Sequence, residues 1–387
     1  MLLILFQFYP RSNPNMDTPY WLLDEELLKN NLKTLAGIKE ATGVKILLAL
    51  KGYALWQSFP LVSQYLDGCC ASGLHEALLS DEKFGKETHT YSPAFKAHDI
   101  PKIASISHHL VFNSPAQFKA FSQMAKEHNP NISLGLRVNP QYSQAPVELY
   151  NPCGLYSRLG TTKENFDTSI LEALEGLHFH ALCEEDASAL SAVWQAFEEQ
   201  FKTYLPKLKW LNLGGGHHIT KEGYDQAGLI TLLNKIQTDY PNLQLYLEPG
   251  EAVGWETGTL VASVVDIIHN GMDIAILDIS AEAHMPDTII MPYRAEVHNA
   301  GKAGEKAHTY RLTGNSCLAG DIMGDYSFEY PLKIGDQIIF EDQMHYTMVK
   351  STTFNGIPLP SIAVKRGDGS IECIKRFGYE TFRDRLS

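Results

Sequence analysis

The sequence lacks the apolar runs and paired cysteines that mark membrane and secreted proteins. No stretch reaches the roughly 18–20 apolar residues that a membrane helix needs. The six cysteines among 387 residues are scattered, and no two of them form a CxxC pair. This usage argues against a disulfide framework and favours free thiols in a reducing compartment, so we expect a cytoplasmic protein.

Basic residues are in the minority. Lys and Arg number 32 against 45 Asp and Glu, which gives a net charge of −13. An acidic chain is a poor electrostatic partner for nucleic acid or anionic lipid, so we expect neither partner. The same charge suits a cationic small molecule. Hydrophobic residues at 44% and charged residues at 20% exclude a largely disordered chain and a coiled coil.

The first residues differ from the rest of the chain. Residues 1–10 read MLLILFQFYP, with no basic residue and no cleavage site after them, so we expect no signal peptide. We expect residues 1–15 to be a disordered extension or the product of a mis-assigned start. The folded chain would then begin at Met16.

Short apolar runs, each followed by a polar or helical stretch, recur eight times between residues 24 and 254. They cover 45–50, 68–72, 88–92, 110–113, 132–139, 176–181, 210–214 and 244–249. Helical periodicity is clear over 24–42, 114–128 and 186–205. Eight strand–helix units over little more than 200 residues predict a (β/α)8 TIM barrel.

The pattern changes after residue 254. Short β-rich segments follow one another, separated by turn residues such as Asn270-Gly271. They cover 259–268, 274–279, 309–313, 337–340 and 362–366. We expect a β-rich domain over 255–387, and we expect residues 16–23 to add an N-terminal strand to it.

Three features lie at the ends of predicted barrel strands, where barrel enzymes place reactive groups. Lys51 ends the first run, and partial removal from water lowers the pKa of a lysine and makes its amine nucleophilic. Gly214–Gly216 follows the seventh run, and such loops let backbone amides approach a phosphate. Glu248 ends the eighth run, where a carboxylate can face a ring nitrogen of a cofactor. A surface lysine, a tight turn and a structural salt bridge are the plainer alternatives.

The histidines allow two interpretations. His178 and His180 lie in the sixth run, and we expect that only one of them faces the barrel interior. His217 and His218 are adjacent, but no third ligand stands at a metal-binding spacing, so we expect no metal. A lysine, a histidine, a glycine loop and a carboxylate on four strands nevertheless form the set that pyridoxal phosphate needs.

Six ordered motifs carry a resemblance to a known family. They are Ala49–Tyr53 (ALKGY), Phe179–Glu184 (FHALCE), Leu213–His217 (LGGGH), Glu248–Ala252 (EPGEA), Asn315–Asp321 (NSCLAGD) and Tyr346–Gly356 (YTMVKSTTFNG). From about Asp17 to the C-terminus, the sequence resembles the fold-type III pyridoxal phosphate decarboxylases, which include ornithine and diaminopimelate decarboxylases. It is most similar to the branch that acts on carboxylated triamines in polyamine biosynthesis.

The resemblance implies an alanine racemase-like barrel and a role for each candidate residue. Lys51 would carry the cofactor, His180 would stack on its ring, Glu248 would pair with the ring nitrogen, and Tyr346 would reach the phosphate from the β-rich domain. The implied cofactor-binding residues are Lys51, Arg137, His180, Gly214, Gly215, Gly216, Glu248 and Tyr346. The implied catalytic residues are Lys51, His180 and Cys317, with Cys317 helping to protonate the α-carbon after carbon dioxide leaves.

Substrate binding is also implied by the resemblance. Glu184, Glu251, Asp321 and Phe354 would contact the substrate. Cys317 and Asp321 would come from the partner subunit, which implies a homodimer with shared active sites.

The sequence departs from the family pattern at three positions. Glu251 stands where the ornithine and diaminopimelate enzymes carry an arginine, Cys183 where they carry a phosphate-contacting serine, and Cys69 where an aspartate is usual. Glu251 disfavours a substrate with a distal carboxylate, such as diaminopimelate. Together with Glu184 it suits a cationic chain.

We therefore expect a pyridoxal phosphate-dependent carboxy-lyase that converts carboxynorspermidine, carboxyspermidine or both to norspermidine and spermidine. Decarboxylation of ornithine, lysine, arginine or diaminopimelate is an alternative. A racemase and a non-catalytic regulatory homologue are more remote alternatives. The two triamine substrates differ by one methylene, and the sequence does not separate them.

Overall fold

The computed structural model describes residues 12, 13 and 16–387. The extension expected at residues 1–15 therefore lies, apart from Ser12 and Asn13, outside the described residues. The chain divides into two compact units. One unit is Lys29–Val253, and the other combines Gly254–Ser387 with the described residues up to Leu28.

The described residues form seventeen β-strands, twelve α-helices and six short 3-10 helices. The strands are β1 (Tyr20–Asp24), β2 (Lys45–Ala49), β3 (Gly68–Ala71), β4 (Glu87–Tyr91), β5 (His109–Phe112), β6 (Ser133–Arg137), β7 (Gly176–His178), β8 (Trp210–Asn212), β9 (Gln244–Leu247), β10 (Gly258–His269), β11 (Asp273–Leu277), β12 (Gly301–Lys302), β13 (His308–Thr313), β14 (Ile322–Phe328), β15 (Gln337–Phe340), β16 (Ser361–Lys365) and β17 (Ile371–Lys375). The α-helices are α1 (Glu25–Thr42), α2 (Phe59–Val62), α3 (Leu74–Lys83), α4 (Ile100–Ile106), α5 (Pro115–His128), α6 (Ala187–Phe201), α7 (Gln226–Asp239), α8 (Glu251–Gly254), α9 (Ala281–His284), α10 (Asp287–Ile290), α11 (Tyr346–Val349) and α12 (Tyr379–Arg383). The 3-10 helices are Trp56–Ser58, Ala97–Asp99, Glu148–Tyr150, Thr168–Ile170, Leu205–Lys207 and Phe354–Gly356. None of the helices in this described part of the chain has the length and apolar character of a membrane span.

Strands β2 to β9 close into a parallel barrel in which each strand pairs with the next and β9 returns to β2. This confirms the predicted (β/α)8 barrel, and each of the eight predicted runs overlaps one of its strands. Because all eight strands run the same way, their carboxyl ends share one rim. Residues that are far apart in the sequence are thereby brought to one place.

The barrel interior is packed around Trp210. Its indole lies in one cluster with Leu47, Val111 and Tyr246, and its Nε1 donates to the Ser133 hydroxyl at 2.8 Å. The hydrogen bond satisfies the buried indole N–H, as a tryptophan inside a core requires.

Helices α5 and α6, which pack around the barrel, begin at side-chain caps. The Ser114 hydroxyl accepts from the Gln117 N–H at 3.3 Å before α5, and the Asp186 carboxylate accepts from the Ala187 N–H at 2.7 Å before α6. These bonds satisfy N–H groups that the first helical turn leaves without a partner. Helix α6 buries an aromatic stripe at helical spacing, as the periodicity indicates: Trp194, Phe197 and Phe201.

The second unit is a nine-stranded sheet of order β12-β14-β13-β11-β10-β1-β16-β17, with β15 also paired to β10. Strand β1 pairs antiparallel with β10 and parallel with β16, which confirms the predicted N-terminal strand. Tyr20 and Leu22 pack there against Val261 and Ala363. The sequence analysis did not predict β12, β14 or β17. Strand β14 carries Gly324 and Asp325 in its middle, and β17 is an edge strand that is only partly buried, so neither shows a clear apolar pattern.

Two glycines test this description of the barrel. A Cβ on Gly176, in β7, would lie 2.0 Å from the Trp210 indole, whereas Gly37, in α1, has nothing within 4 Å. We expect Gly176→Ala to destabilise the fold by about 1–3 kcal/mol through overpacking. The matched Gly37→Ala should stabilise it by about 0.5–1 kcal/mol. Thermal unfolding followed by circular dichroism measures both changes, and an unchanged midpoint for Gly176→Ala would contradict the packing around Trp210.

Candidate active site

Lys51 lies just beyond β2, on the rim formed by the carboxyl ends of the barrel strands. The Leu50 N–H donates to the Cys70 carbonyl at 3.1 Å, which continues the pairing of β2 with β3 up to this lysine. Part of the Lys51 side chain is accessible to solvent, but protein atoms surround it closely. Because they displace water from around the amine, they lower the pKa of that amine. Cys70, Arg137 and Glu248 are near enough for their charges to act on it. A lowered pKa increases the fraction of neutral, nucleophilic amine.

Glu248 lies just beyond β9, and two side chains inside the barrel hold its carboxylate. Asn212 Nδ2 donates to Oε1 at 2.6 Å, and His178 Nε2 lies 3.4 Å from Oε2. Burial alone would raise the pKa of Glu248, but His178 and Asn212 outweigh burial and lower the pKa to about 2. Burial lowers the pKa of His178 itself, while the neighbouring Glu248 carboxylate acts in the opposite direction. Glu248 is therefore an ionised carboxylate in a protein interior.

His178 and His180 both reach this region, which corrects the expectation that only one faces the barrel interior. Residues two apart in a strand share a face. His178 lies beside Glu248, and His180 Nδ1 lies 3.1 Å from both the backbone nitrogen and the backbone oxygen of Gly215. Burial, and then the positive charge of Lys51, lowers the pKa of His180 well below its usual value. His180 thus presents a neutral aromatic ring in a fixed orientation.

The glycine loop after β8 has no room for side chains. A Cβ on Gly214, Gly215 or Gly216 would stand 2.5, 2.2 or 2.1 Å from a backbone oxygen of a neighbouring segment. The Gly214 N–H donates to Asn212 Oδ1 at 2.9 Å, and the Gly215 N–H donates to His180 Nδ1. The N–H of Gly216 has no acceptor among the described residues. The loop therefore offers backbone at close range, with the Gly216 amide available to an anion.

Arg137, the last residue of β6, is buried beside His180. Its Nη2 donates to the His180 carbonyl at 3.1 Å, and its guanidinium carbon lies 4.7 Å from the centre of the Tyr91 ring. Tyr91 in turn makes an edge contact with His178, with ring centres 5.4 Å apart. Arg137 and Tyr91 therefore support the strand end that carries both histidines.

Acidic side chains surround Cys183, between β7 and α6. Burial, and then the charges of Glu184, Glu251 and Glu185, raise the pKa of the Cys183 thiol to about 12. Lys51 also acts on this thiol, and a Cβ on the adjacent Gly52 would stand 3.0 Å from the Glu251 backbone nitrogen, so Glu251 lies near the lysine. Glu184 is exposed and has a left-handed backbone, with φ of +57°, a conformation that is uncommon for glutamate and is enriched at functional sites.

His217 and His218, the adjacent histidines after the glycine loop, have different neighbours. His218 Nε2 lies 3.3 Å from Glu251 Oε2, and burial lowers the pKa of His217 to about 4. In the part of the chain that the structure describes, no three metal-ligating side chains are grouped so that they could hold an ion.

Cys317 and Asp321 lie in the other unit, on the connection between β13 and β14. Cys317 is exposed, and its N–H donates to Asn355 Oδ1 at 2.7 Å. Asp321 is buried, and its two carboxylate oxygens accept from the N–H groups of Ala281 (2.6 Å) and Ser316 (3.0 Å). These bonds give Asp321 a role in holding the loop that carries Cys317.

The two remaining predicted residues also lie in this unit. Phe354 is exposed and precedes Asn355, so it is brought close to the Cys317 loop. Tyr346 is half-buried and opens α11, with Lys350 Nζ 5.4 Å from the centre of its ring.

A comparison with family models identifies the chain. The model described as pyridoxal-dependent decarboxylase, C-terminal sheet domain, matches residues 22–343. The chain belongs to this family of decarboxylases.

Individual relatives of this decarboxylase cover nearly its whole length. It is 53% identical to the carboxynorspermidine/carboxyspermidine decarboxylase of Campylobacter jejuni, over 95% of this chain and 98% of that protein. It is 43% identical to the carboxyaminopropylagmatine decarboxylase of Synechocystis, over 97% of each chain. The crystal structure of carboxynorspermidine decarboxylase from Campylobacter jejuni, complexed with norspermidine, superposes with a TM-score of 0.89 at 51% identity, over 96% of this chain and 100% of that one.

The barrel residues of this decarboxylase fit the family's cofactor, pyridoxal phosphate. Lys51 has the lowered pKa that an aldehyde-binding amine requires, and the Gly216 N–H is open to a phosphate. Glu248 is ionised and can hold a protonated ring nitrogen, while the neutral ring of His180 can stack. These four features lie in one unit and follow from contacts within the protein.

Sequence reasoning did not identify Asn212 or Tyr91, and it did not connect His178 with Glu248. A neutral asparagine two residues before a glycine loop has no charge or spacing to mark it. The one available signal was its position at the end of a barrel strand, where barrel enzymes place functional residues.

The reactivity of the cysteines tests the burial that the structure gives to each thiol. Cys317 is exposed, whereas burial raises the pKa of Cys69 and of Cys183 to about 12. Because the thiolate is the reactive form, we expect iodoacetamide at neutral pH to alkylate Cys317 at least about tenfold faster than the other two. Peptide mass spectrometry over a time course measures the rates, with Cys317→Ser protein as the control. Labelling of Cys183 or Cys69 before Cys317 would contradict the structure.

Proposed function

We propose that this enzyme decarboxylates carboxynorspermidine and carboxyspermidine, which yields norspermidine and spermidine in polyamine biosynthesis. The 53% sequence identity to the Campylobacter jejuni enzyme, over 95% of this chain, supports this proposal. The observation that carries it is the acidic group of Glu184, Glu185 and Glu251 around Cys183, with the backbone of Glu251 packed against Gly52, the neighbour of Lys51. Both substrates carry two amines besides the reacting one, and acidic side chains attract them.

Each barrel side chain has a separate role in the proposed reaction. Bound pyridoxal phosphate supplies an electron sink for the carbon that loses its carboxylate. Lys51 would hold the cofactor through its amine and would give way to the substrate amine during turnover. Glu248 would keep a proton on the ring nitrogen, and His180 would hold the ring in place by stacking. Arg137 supports the segment that carries His180.

The glycine loop and the β-rich unit complete these roles. Gly214, Gly215 and Gly216 would hold the phosphate, chiefly through the N–H of Gly216, and Tyr346 would reach it from the β-rich unit. Cys317 donates a proton to the α-carbon after carbon dioxide leaves.

The residues around the substrate account for the choice of substrate. Glu184 and Glu251 face its distal amines, and Asp321 and Phe354 line its path. A distal carboxylate, as in diaminopimelate, would be repelled by the same glutamates. A second candidate substrate is carboxyaminopropylagmatine, for which the Synechocystis relative is named.

We also propose that the enzyme is a cytoplasmic homodimer with shared active sites. Cys317 and Asp321 of one subunit would complete the site that contains Lys51 of the other. The acidic net charge and the scattered free cysteines are in keeping with a reducing compartment.

Carbon dioxide release tests the reaction directly. The protein loaded with pyridoxal phosphate is assayed with carboxynorspermidine, carboxyspermidine, carboxyaminopropylagmatine, meso-diaminopimelate, ornithine, lysine and arginine. We expect turnover of the first two, and loss of at least about 10³-fold in Lys51→Ala, because that amine forms the covalent link to the cofactor.

The pattern of turnover distinguishes the candidates. Turnover of carboxyaminopropylagmatine alone would favour the second candidate, and turnover of ornithine or diaminopimelate alone would contradict the role of Glu251. No turnover of any substrate would favour a racemase or a non-catalytic homologue.

Subunit exchange tests the shared site. Lys51→Ala and Cys317→Ala proteins are each expected to be inactive, and their mixture is expected to recover up to about a quarter of wild-type activity. Half of the dimers would be mixed, and one of the two sites in each would be intact. Each variant exchanged with itself is the control. No recovery, with mixed dimers demonstrated by mass spectrometry, would show that the site is not shared.

A further inference from the structure

Asn212 is the last residue of β8, and only 1% of its surface is exposed. Its side-chain amide makes two hydrogen bonds in opposite directions. Nδ2 donates to Glu248 Oε1 at 2.6 Å, and Oδ1 accepts from the Gly214 N–H at 2.9 Å. One planar group therefore connects the buried carboxylate to the glycine loop.

We propose that Asn212 is a positioning residue of the active site, which fixes the Glu248 carboxylate relative to the glycine loop. The proposal rests on the proposed function, in which Glu248 faces the ring nitrogen and the loop holds the phosphate. Both groups belong to one small, rigid cofactor. A side chain bonded to both of their protein partners keeps those partners at the spacing that the cofactor requires.

Backbone contacts alone do not fix the orientation of the Glu248 carboxylate. The Glu248 N–H donates to the Gly214 carbonyl at 2.8 Å, and a Cβ on Gly215 would stand 2.2 Å from the Glu248 carbonyl. These contacts place the main chain of Glu248 but leave its side-chain torsions free. His178 Nε2 lies farther from the carboxylate, at 3.4 Å. The short bond from Asn212 therefore selects the orientation of the carboxylate.

The residue type matters because an amide donates and accepts at once. An aspartate at position 212 would still accept from the Gly214 N–H. Its ionised form would have no proton for Glu248, and two carboxylates would stand side by side and repel each other. Asn212→Asp therefore keeps the bond to the loop and replaces the neutral donor to Glu248 with a second acid, so that the two carboxyl groups either repel or share one proton.

The matched control is Asn139→Asp in the same barrel. Asn139 is 4% exposed, and its Oδ1 accepts from the N–H of Gln141, two residues later, at 2.8 Å. This repeats the contact of Asn212 with Gly214 at a similar depth, without a carboxylate on the other side. Glu248→Gln serves as the reference for loss of the ionised partner.

The experiment measures the Kd of pyridoxal phosphate by equilibrium dialysis, and kcat and KM of the holoenzyme for carboxynorspermidine. We expect Asn212→Asp to raise Kd and to lower kcat by at least about tenfold each, the effect of losing one hydrogen bond to a charged group. KM should change by less than about twofold, since substrate contacts remain. Asn139→Asp should change every quantity by less than about twofold. Circular dichroism checks folding, and Asn212→Ala, with the same expected result, replaces Asn212→Asp if that variant does not fold.

The outcomes separate this proposal from the proposed function. If Glu248→Gln is impaired and the Asn212 variant behaves like Asn139→Asp, the positioning role is wrong and the proposed function stands. If Glu248→Gln is also unimpaired, the assignment of Glu248 to the ring nitrogen fails together with the role of Asn212. Turnover of carboxynorspermidine by the wild-type protein tests the proposed function independently of both.

Discussion

The active site depends on one buried negative charge, the carboxylate of Glu248. A carboxylate removed from water persists in its charged form only when neighbours donate to it. Asn212 donates a short hydrogen bond and His178 lies on the other side, and together they outweigh the effect of burial. The charge in turn acts on Lys51, so the lysine amine and the carboxylate share one electrostatic environment.

Barrel closure is what brings these groups together. Lys51, Arg137, His180, Asn212 and Glu248 stand at the ends of five strands that are spread over about 200 residues of sequence. Hydrogen bonds then connect neighbouring ends, from Arg137 to His180 and from Asn212 to both Glu248 and the glycine loop. Most of these bonds run between residues of different strands, so they exist only once the barrel has formed.

The sequence predicted the parts of this arrangement that have a local signature. Most of the barrel strands are short apolar runs because they are buried on both faces, although β4 reads ETHTY. Lys51 and Glu248 stand out as charges at the ends of such runs. Edge strands such as β17 need little apolar sequence and were missed. Asn212 was also missed, because its role comes from a partner 36 residues away. His178, the last residue of β7, and His180, two residues later, were wrongly expected to face opposite ways, although residues two apart in an extended chain share a face.

The protonation state of the cofactor's ring nitrogen tests the central claim most directly. Pyridoxal phosphate labelled with ¹⁵N in the ring would be bound to the wild-type protein, and its chemical shift recorded at neutral pH. The ionised carboxylate of Glu248 predicts the shift of a protonated pyridinium nitrogen. The shift of a neutral pyridine nitrogen would contradict the account, because it would mean that Glu248 does not hold a proton on the ring.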